Sequence, residues 1–296
     1  MARQANERQH DIDDGLPLIA AGCRSFTMFS SDTHLEYRIF VYVPDEAPPS
    51  SGFPVLCVLD GNADFLMVTE TVRRAGRRPS ATGIPPSIVV GVGYPNASAY
   101  DPERRYFDFT RGPPADPTQA DSRYKYGGGE SFARFLSQQL LPYVSQHFSV
   151  RRDRRILLGH SLAAFFVLDV LANHPSLFSG YIGLSPSVWW DRAALSQALK
   201  RYEGDPAPVA AYLGVGRWEE EFAPWQSVGN DRDDYADLRR QRRMIENARQ
   251  ISQEIKSAFG ERARVTFEIG EDEDHATIIP TLLCRALRFT LQPAIG

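Results

Sequence analysis

Arg155-Ile156-Leu157-Leu158-Gly159-His160-Ser161-Leu162-Ala163-Ala164 is the stretch on which the reading of this chain turns. Ile156 to Leu158 is a short apolar run of strand type. Gly159 to Ser161 marks a sharp turn. From Leu162 the sequence stays apolar through Phe165, Phe166, Leu168 and Val170, as a buried helix does. A serine at the apex of a strand–turn–helix is lifted away from the backbone, where a general base can reach its hydroxyl. The usual pattern is G-x-S-x-G, and here Ala163 stands in place of the last glycine. A pentapeptide alone is a weak signal, so its meaning depends on what the rest of the chain supplies.

Outward from that stretch, the pattern is one of alternating elements. Phe26, Met28, Ile39, Val41 and Val43 mark two alternating strands joined as a hairpin over 24–43. Continuous apolar runs at 53–59 and 87–94 predict strands covered on both faces. Further strands are predicted at 178–184, 209–215 and 264–269. Helices are predicted after 61, over 130–147, 192–200 and 276–289, and as one long amphipathic helix over 238–259. Two antiparallel strands followed by alternating strand and helix describe an α/β fold, a mostly parallel eight-stranded sheet with helices on both faces. Residues 1–20 read as a polar segment and 21–296 as a single domain. A long aperiodic stretch at about 94–129 is rich in proline, arginine and aromatic residues, and loops of that length tend to be functional.

Composition narrows the function. The 296 residues are 43% hydrophobic and 24% charged, with a net charge of -4, which leaves no electrostatic footprint for nucleic acid or an acidic membrane surface. The three cysteines (Cys23, Cys57, Cys284) are widely spaced and fit buried reduced thiols better than disulfides or a metal site. The first residues lack the apolar core of a secretory signal, and no run is long enough to span a bilayer. A cytoplasmic setting is expected.

In an open α/β sheet, ligands sit beyond the carboxyl ends of the strands. After the third predicted strand stands Asp60-Gly61-Asn62, after the fifth Ser161, after the seventh Glu219-Glu220-Glu221, and after the eighth Glu271 to His275. Serine, acid and histidine therefore follow one another in chain order, each at a strand end. A serine hydroxyl barely ionises at neutral pH and needs a base. His275 is the candidate, and His160, next to the serine, points elsewhere and is read as packing or pocket lining. The acid that orients the imidazole is Glu219 or Glu220, with Glu219 first. Asp272 and Asp274 precede His275 on its own loop and fit the role less well. The oxyanion needs backbone N–H donors, for which Leu162 and Asn62 are the candidates.

Leu59-Asp60-Gly61-Asn62, Val90-Gly91-Val92-Gly93-Tyr94-Pro95, Gly127-Gly128 before the Phe132 helix, Gly159 to Ala163, Ser185 to Trp190 and His275 with Ile279-Pro280 occur in this order. Together they resemble the esterase D family of α/β hydrolases, and within it the ferric-siderophore esterases that open enterobactin-type trilactones. The resemblance spans about 26–291. It implies a serine esterase with no metal or organic cofactor, acting on a small-molecule ester, in this branch the ester backbone of a catecholate siderophore. A general carboxylesterase or an acyl/feruloyl esterase would use the same residues. Some members of the branch manage with a serine–histidine pair, so the acid stays open between Glu219, Glu220 and none. A ferric tris-catecholate is a bulky aromatic anion, suited by arginines with aromatic neighbours. Arg73, Arg78, Tyr126 and Trp190 are the candidates to bind it.

Overall fold

Eight strands form one sheet in the computed structural model, which describes residues 20–202, 208–226 and 232–292. They are β1 (Cys23–Phe29), β2 (Glu36–Tyr42), β3 (Phe53–Val58), β4 (Ile88–Gly93), β5 (Val150–His160), β6 (Gly180–Leu184), β7 (Val209–Gly216) and β8 (Ala263–Gly270). Their order across the sheet is β1-β2-β4-β3-β5-β6-β7-β8. β1 and β2 pair antiparallel, β2 runs antiparallel to β4, and all other neighbours are parallel. The polar segment at 1–20 lies, except for Ala20, outside the described residues.

Burial follows position in the sheet. Every residue of β3, β4, β6 and β7 is buried, as the continuous apolar runs require of strands covered on both faces, whereas the edge strand β1 alternates. One face is covered by α1 (Gly61–Gly76) and α10 (Ile278–Leu291), through Phe65, Val68, Val72, Leu282 and Leu287. The other face packs against α6 (Leu162–Asn173), α7 (Arg192–Lys200) and α9 (Met244–Phe259), and against the helical stretch from Gly129 to His147. Eleven of the twelve residues of α6 are buried. A fully buried Leu, Val or Phe side chain stabilises the fold by about 1.5–3 kcal/mol, so α6 is among the most firmly anchored elements.

Three segments differ from the pattern read in the sequence. The 94–129 stretch contains two short helical pieces, α3 (Pro102–Asp108), which follows the short α2 (Pro79–Thr82) in chain order, and a 3₁₀ turn at Pro117–Gln119. Asp101 caps α3 by accepting from the Arg104 N–H, with Pro102 at its first position. Two turns are too short to show a helical period. The 130–147 helix divides into α4 (Gly129–Arg134), a π-helical segment Phe135–Leu140 and α5 (Leu141–His147). Pro142, which has no N–H to donate into the ladder, lies just after the change in winding. The long 238–259 helix is two helices, α8 (Arg232–Arg242) and α9, broken at Arg243, whose φ of 45 is left-handed. No glycine or proline announces that break.

Candidate active site

Gly159, His160 and Ser161 carry the chain from the end of β5 into α6. Ser161 has φ 60 and ψ -119, a conformation that costs a non-glycine residue on the order of 1–3 kcal/mol and persists only where the surroundings enforce it. The surroundings do so here. The Ser161 N–H donates to the Leu184 carbonyl at 2.9 Å, and its own carbonyl accepts from Ser187 and Phe165 at 3.1 Å each. A Cβ at Gly159 would sit 2.6 Å from the Ala163 carbonyl carbon and oxygen, so glycine is required on the strand side. Ala163 itself is fully buried on the helix side, so the crossing accommodates its methyl.

The loop after β8 brings His275 to this serine. Its Nε2 lies 3.0 Å from Ser161 Oγ, and its Nδ1 lies 2.8 Å from Glu219 Oε2. Glu219 is 4% exposed, and its second oxygen accepts the Ser185 hydroxyl at 2.5 Å and the Gly216 N–H at 2.7 Å. Those donors satisfy one oxygen of the buried carboxylate and fix its plane. Glu220 faces away and accepts from the Ile245 and Glu246 N–H groups at the start of α9. Asp274 accepts from the Ala276 and Thr277 N–H groups and shapes the turn that carries His275. Of the acids in these two loops, Glu219 is the one on the imidazole.

His160 supports the same loop from below. Its Nε2–H donates to the His275 carbonyl at 2.7 Å. Burial, with the His275 ring adding to it, pushes its pKa down to about 3, so the ring stays neutral and acts as a fixed donor.

A cavity of about 350 Å³ opens over Ser161. Leu162 lines it beside the serine, and as the first residue of α6 its N–H has no acceptor within the helix. Tyr106, Trp189, Trp190 and Trp218 form its aromatic walls, and Arg105, Arg239 and Arg242 its basic ones. Arg105 is held by Asp60, with Nε 2.9 Å from Oδ1.

The residues expected to bind substrate are placed differently from one another. Trp190 lines the cavity, with its indole N–H donated to the Gly112 carbonyl at 3.1 Å. Tyr126 stands behind the wall. Its ring packs on Tyr106 and Trp190, and its hydroxyl accepts from the Asp121 N–H and donates to the Asp121 carbonyl. Arg73 and Arg78 do not line this cavity. α1 starts at the carboxyl end of β3 and runs back along the sheet, so its last turn lies at the far end, away from Ser161. Arg73 is there paired with Glu70 beside Tyr42 and Asp45, and Arg78 is exposed. The arginines of the cavity come instead from α3 and α8. Asn62 lines a separate cavity with Cys23, Phe40 and Phe65, and its amide clasps the Tyr94 N–H and carbonyl at 2.8 and 3.1 Å, fastening the end of β4 to α1.

A mostly parallel eight-stranded sheet bearing a strained serine between strand and helix, with histidine and acid on the loops of two later strands, defines an α/β hydrolase of the serine class. The family description "Putative esterase" matches residues 30–282. The chain belongs to this esterase family, among the siderophore esterases. It is 32% identical to the ferri-bacillibactin esterase of Bacillus subtilis over 90% of this chain and 88% of that one. It is 30% identical to the siderophore enterobactin esterase of Emericella nidulans over 78% and 80%. Among solved structures, the BES protein from Bacillus cereus superposes with a TM-score of 0.79 at 27% identity, covering 95% of this chain and all (100%) of that one. The siderophore hydrolase EstB from Aspergillus nidulans gives 0.78 at 25% identity, covering 94% and 98%. No helix among the described residues is long and apolar enough to cross a membrane.

Proposed function

We propose that this protein hydrolyses the ester backbone of a catecholate siderophore, with Ser161 as nucleophile, His275 as general base and Glu219 as the acid that orients it. The observation that carries the reading is the unbroken relay from Ser161 Oγ through His275 to Glu219, at 3.0 and 2.8 Å, under an aromatic and basic cavity. His275 Nε2 takes the hydroxyl proton as Ser161 attacks the ester carbonyl, and Glu219 stabilises the imidazolium. The N–H of Leu162, without an acceptor in its helix, is the candidate donor to the developing oxyanion, whereas Asn62, expected as the second donor, lines a different cavity. The imidazolium then protonates the departing alkoxide. Water, activated by the same base, releases the acid and regenerates the serine.

The substrate class rests on the named relatives and on the cavity. Tryptophan and tyrosine faces suit catechol rings, and guanidinium groups suit their anionic, metal-bound form. Iron enters this reading as cargo of the substrate. The reading includes a single domain over 21–296 and action in the cytoplasm, where three unpaired thiols are stable.

A panel of ferric and iron-free trilactones and simple aryl esters tests it, with products identified by mass and a fluorophosphonate probe reporting on Ser161. Trilactone opened to its monomers, with labelling lost in Ser161→Ala, is the expected result. Aryl-ester turnover with the trilactone untouched would make the protein a general carboxylesterase or feruloyl-type esterase. An unlabelled serine would remove the catalytic reading altogether.

A further inference from the structure

Among the described residues, the charge on the cavity wall is not balanced. Glu219 is committed to His275, and Arg105 is neutralised by Asp60. Arg239 gives Nη1 to three uncharged oxygens, the carbonyls of Trp218 and Glu221 and the side chain of Gln226. Arg242 gives Nε to Gln119 at 3.2 Å, and its guanidinium carbon lies 4.2 Å from the centre of the Trp189 ring. Among the described residues no carboxylate pairs with Arg242, and no protein acceptor takes its Nη hydrogens.

Burial lowers the Arg242 pKa, with the Tyr106 phenol opposing only in part. A cation withdrawn from water without a counter-anion is costly, and the carbonyl end of α8, where Arg239 and Arg242 sit, offsets only a fraction of that cost. The ring of Trp189 and the amide of Gln119 fix the guanidinium plane, which leaves a preoriented fork of donors at the cavity.

We propose that Arg242 is a specificity-determining residue that receives an anionic oxygen of the substrate, so that the cavity prefers esters carrying charge on the bound portion. The inference rests on the siderophore reading for the identity of that anion. Three dianionic catecholate rings around a ferric ion leave three negative charges, whereas the iron-free catechols keep most of their hydroxyl protons at neutral pH. Arg242 therefore favours the ferric form over the free one.

The test compares two substrate pairs across the parent, Arg242→Gln and Arg242→Lys. One pair is 4-nitrophenyl hemisuccinate and 4-nitrophenyl butyrate, which differ in charge at similar size. The other is the ferric and the iron-free trilactone. A hydrogen-bonded ion pair of this kind corresponds to roughly tenfold or more, so in Arg242→Gln both charged-over-neutral ratios of kcat/KM fall by that factor, mainly through KM. Arg242→Lys recovers part of the ratio. Equal losses on charged and neutral members would mark a merely structural role and overturn the proposal, as would unchanged ratios. If the parent cleaves aryl esters but no trilactone, the siderophore reading fails while the hemisuccinate ratio still decides the role of Arg242. Tryptophan quenching by the ferric complex in Ser161→Ala, with and without Arg242→Gln, makes the same comparison without turnover. Equal affinity in the two would also overturn it.

Discussion

The Glu219 carboxylate meets His275 Nδ1 at 2.8 Å with its other oxygen already occupied by Ser185 and Gly216, so it has one orientation available. Glu219→Gln keeps the shape but places an amide where the charge stabilises the imidazolium. The expected result is a fall in kcat of roughly a hundredfold to ten-thousandfold with KM little changed. Glu220 serves a different element. Glu220→Ala removes the acceptor at the start of α9 and costs about 1 kcal/mol of stability with kcat close to the parent. Steady-state kinetics and urea denaturation of both variants separate the two roles, and an active Glu219→Gln enzyme would leave a serine–histidine pair as the working unit.

His275→Ala removes the only base in reach of Ser161 Oγ among the described contacts. Turnover drops by roughly a thousandfold or more while the circular dichroism spectrum and Tm stay near the parent, because the ring is partly exposed and fills no core position. Fluorophosphonate labelling of Ser161 slows in parallel. Rapid labelling in this variant would show that another group activates the serine.

Gly159→Ala drives a methyl into the backbone of α6, 2.6 Å from the Ala163 carbonyl, where no flexible side chain can yield. The turn must shift, at a cost of about 2–3 kcal/mol and with a large loss of kcat. Ala163→Gly, which restores the commoner motif, costs about 1 kcal/mol of helix stability and leaves kcat close to the parent. Denaturation midpoints and kinetics of the two variants check this asymmetry. Equal tolerance at both positions would contradict the packing described.

Asp64 is 2% exposed, with one carboxylate oxygen lacking a partner. Burial pushes its pKa up to about 7, the neighbouring Asp60 adds to the rise, and Arg105 opposes it. Between the unfolded value of about 4 and the folded value, the folded chain holds a proton that the unfolded chain has released, so stability falls as pH rises through that window. Asp108, pushed to about 7 chiefly by burial, adds to the same slope. Asp64→Asn removes its share. It raises the unfolding free energy at pH 8, read from urea denaturation, by an amount on the order of 1–2 kcal/mol and changes it much less at pH 5. A gain that is equal at both pH values would disprove the assignment of the slope to this carboxyl.

Much of the frame was legible because it is written in local patterns. Continuous apolar runs gave β3, β4 and β7, and the strand ends then pointed to Ser161 and His275. Trp190 stands in the Ser185 to Trp190 stretch after β6, one of the stretches that carry the family resemblance. The errors arose where direction in space mattered more than position in sequence. Arg73 and Arg78 looked like anion ligands by charge and aromatic company, but α1 carries them to the other end of the sheet. Arg239 and Arg242 were hidden in what reads as one amphipathic helix, because the break at Arg243 uses a left-handed arginine rather than a glycine or proline. The arginine-rich run 239–243 was the available signal.

The sequence by itself determined the succession of strands and most of the helices between them, the serine on its turn and the histidine on its loop, because periodic burial and strand-end chemistry are properties of a few adjacent residues. Only the tertiary structure decided which of three consecutive glutamates reaches His275 and which arginines face the cavity. Those choices depend on where a side chain points after residues tens of positions apart have packed together. For Glu219 that packing supplies Ser185 and His275, and for Arg242 it supplies Trp189 and Gln119.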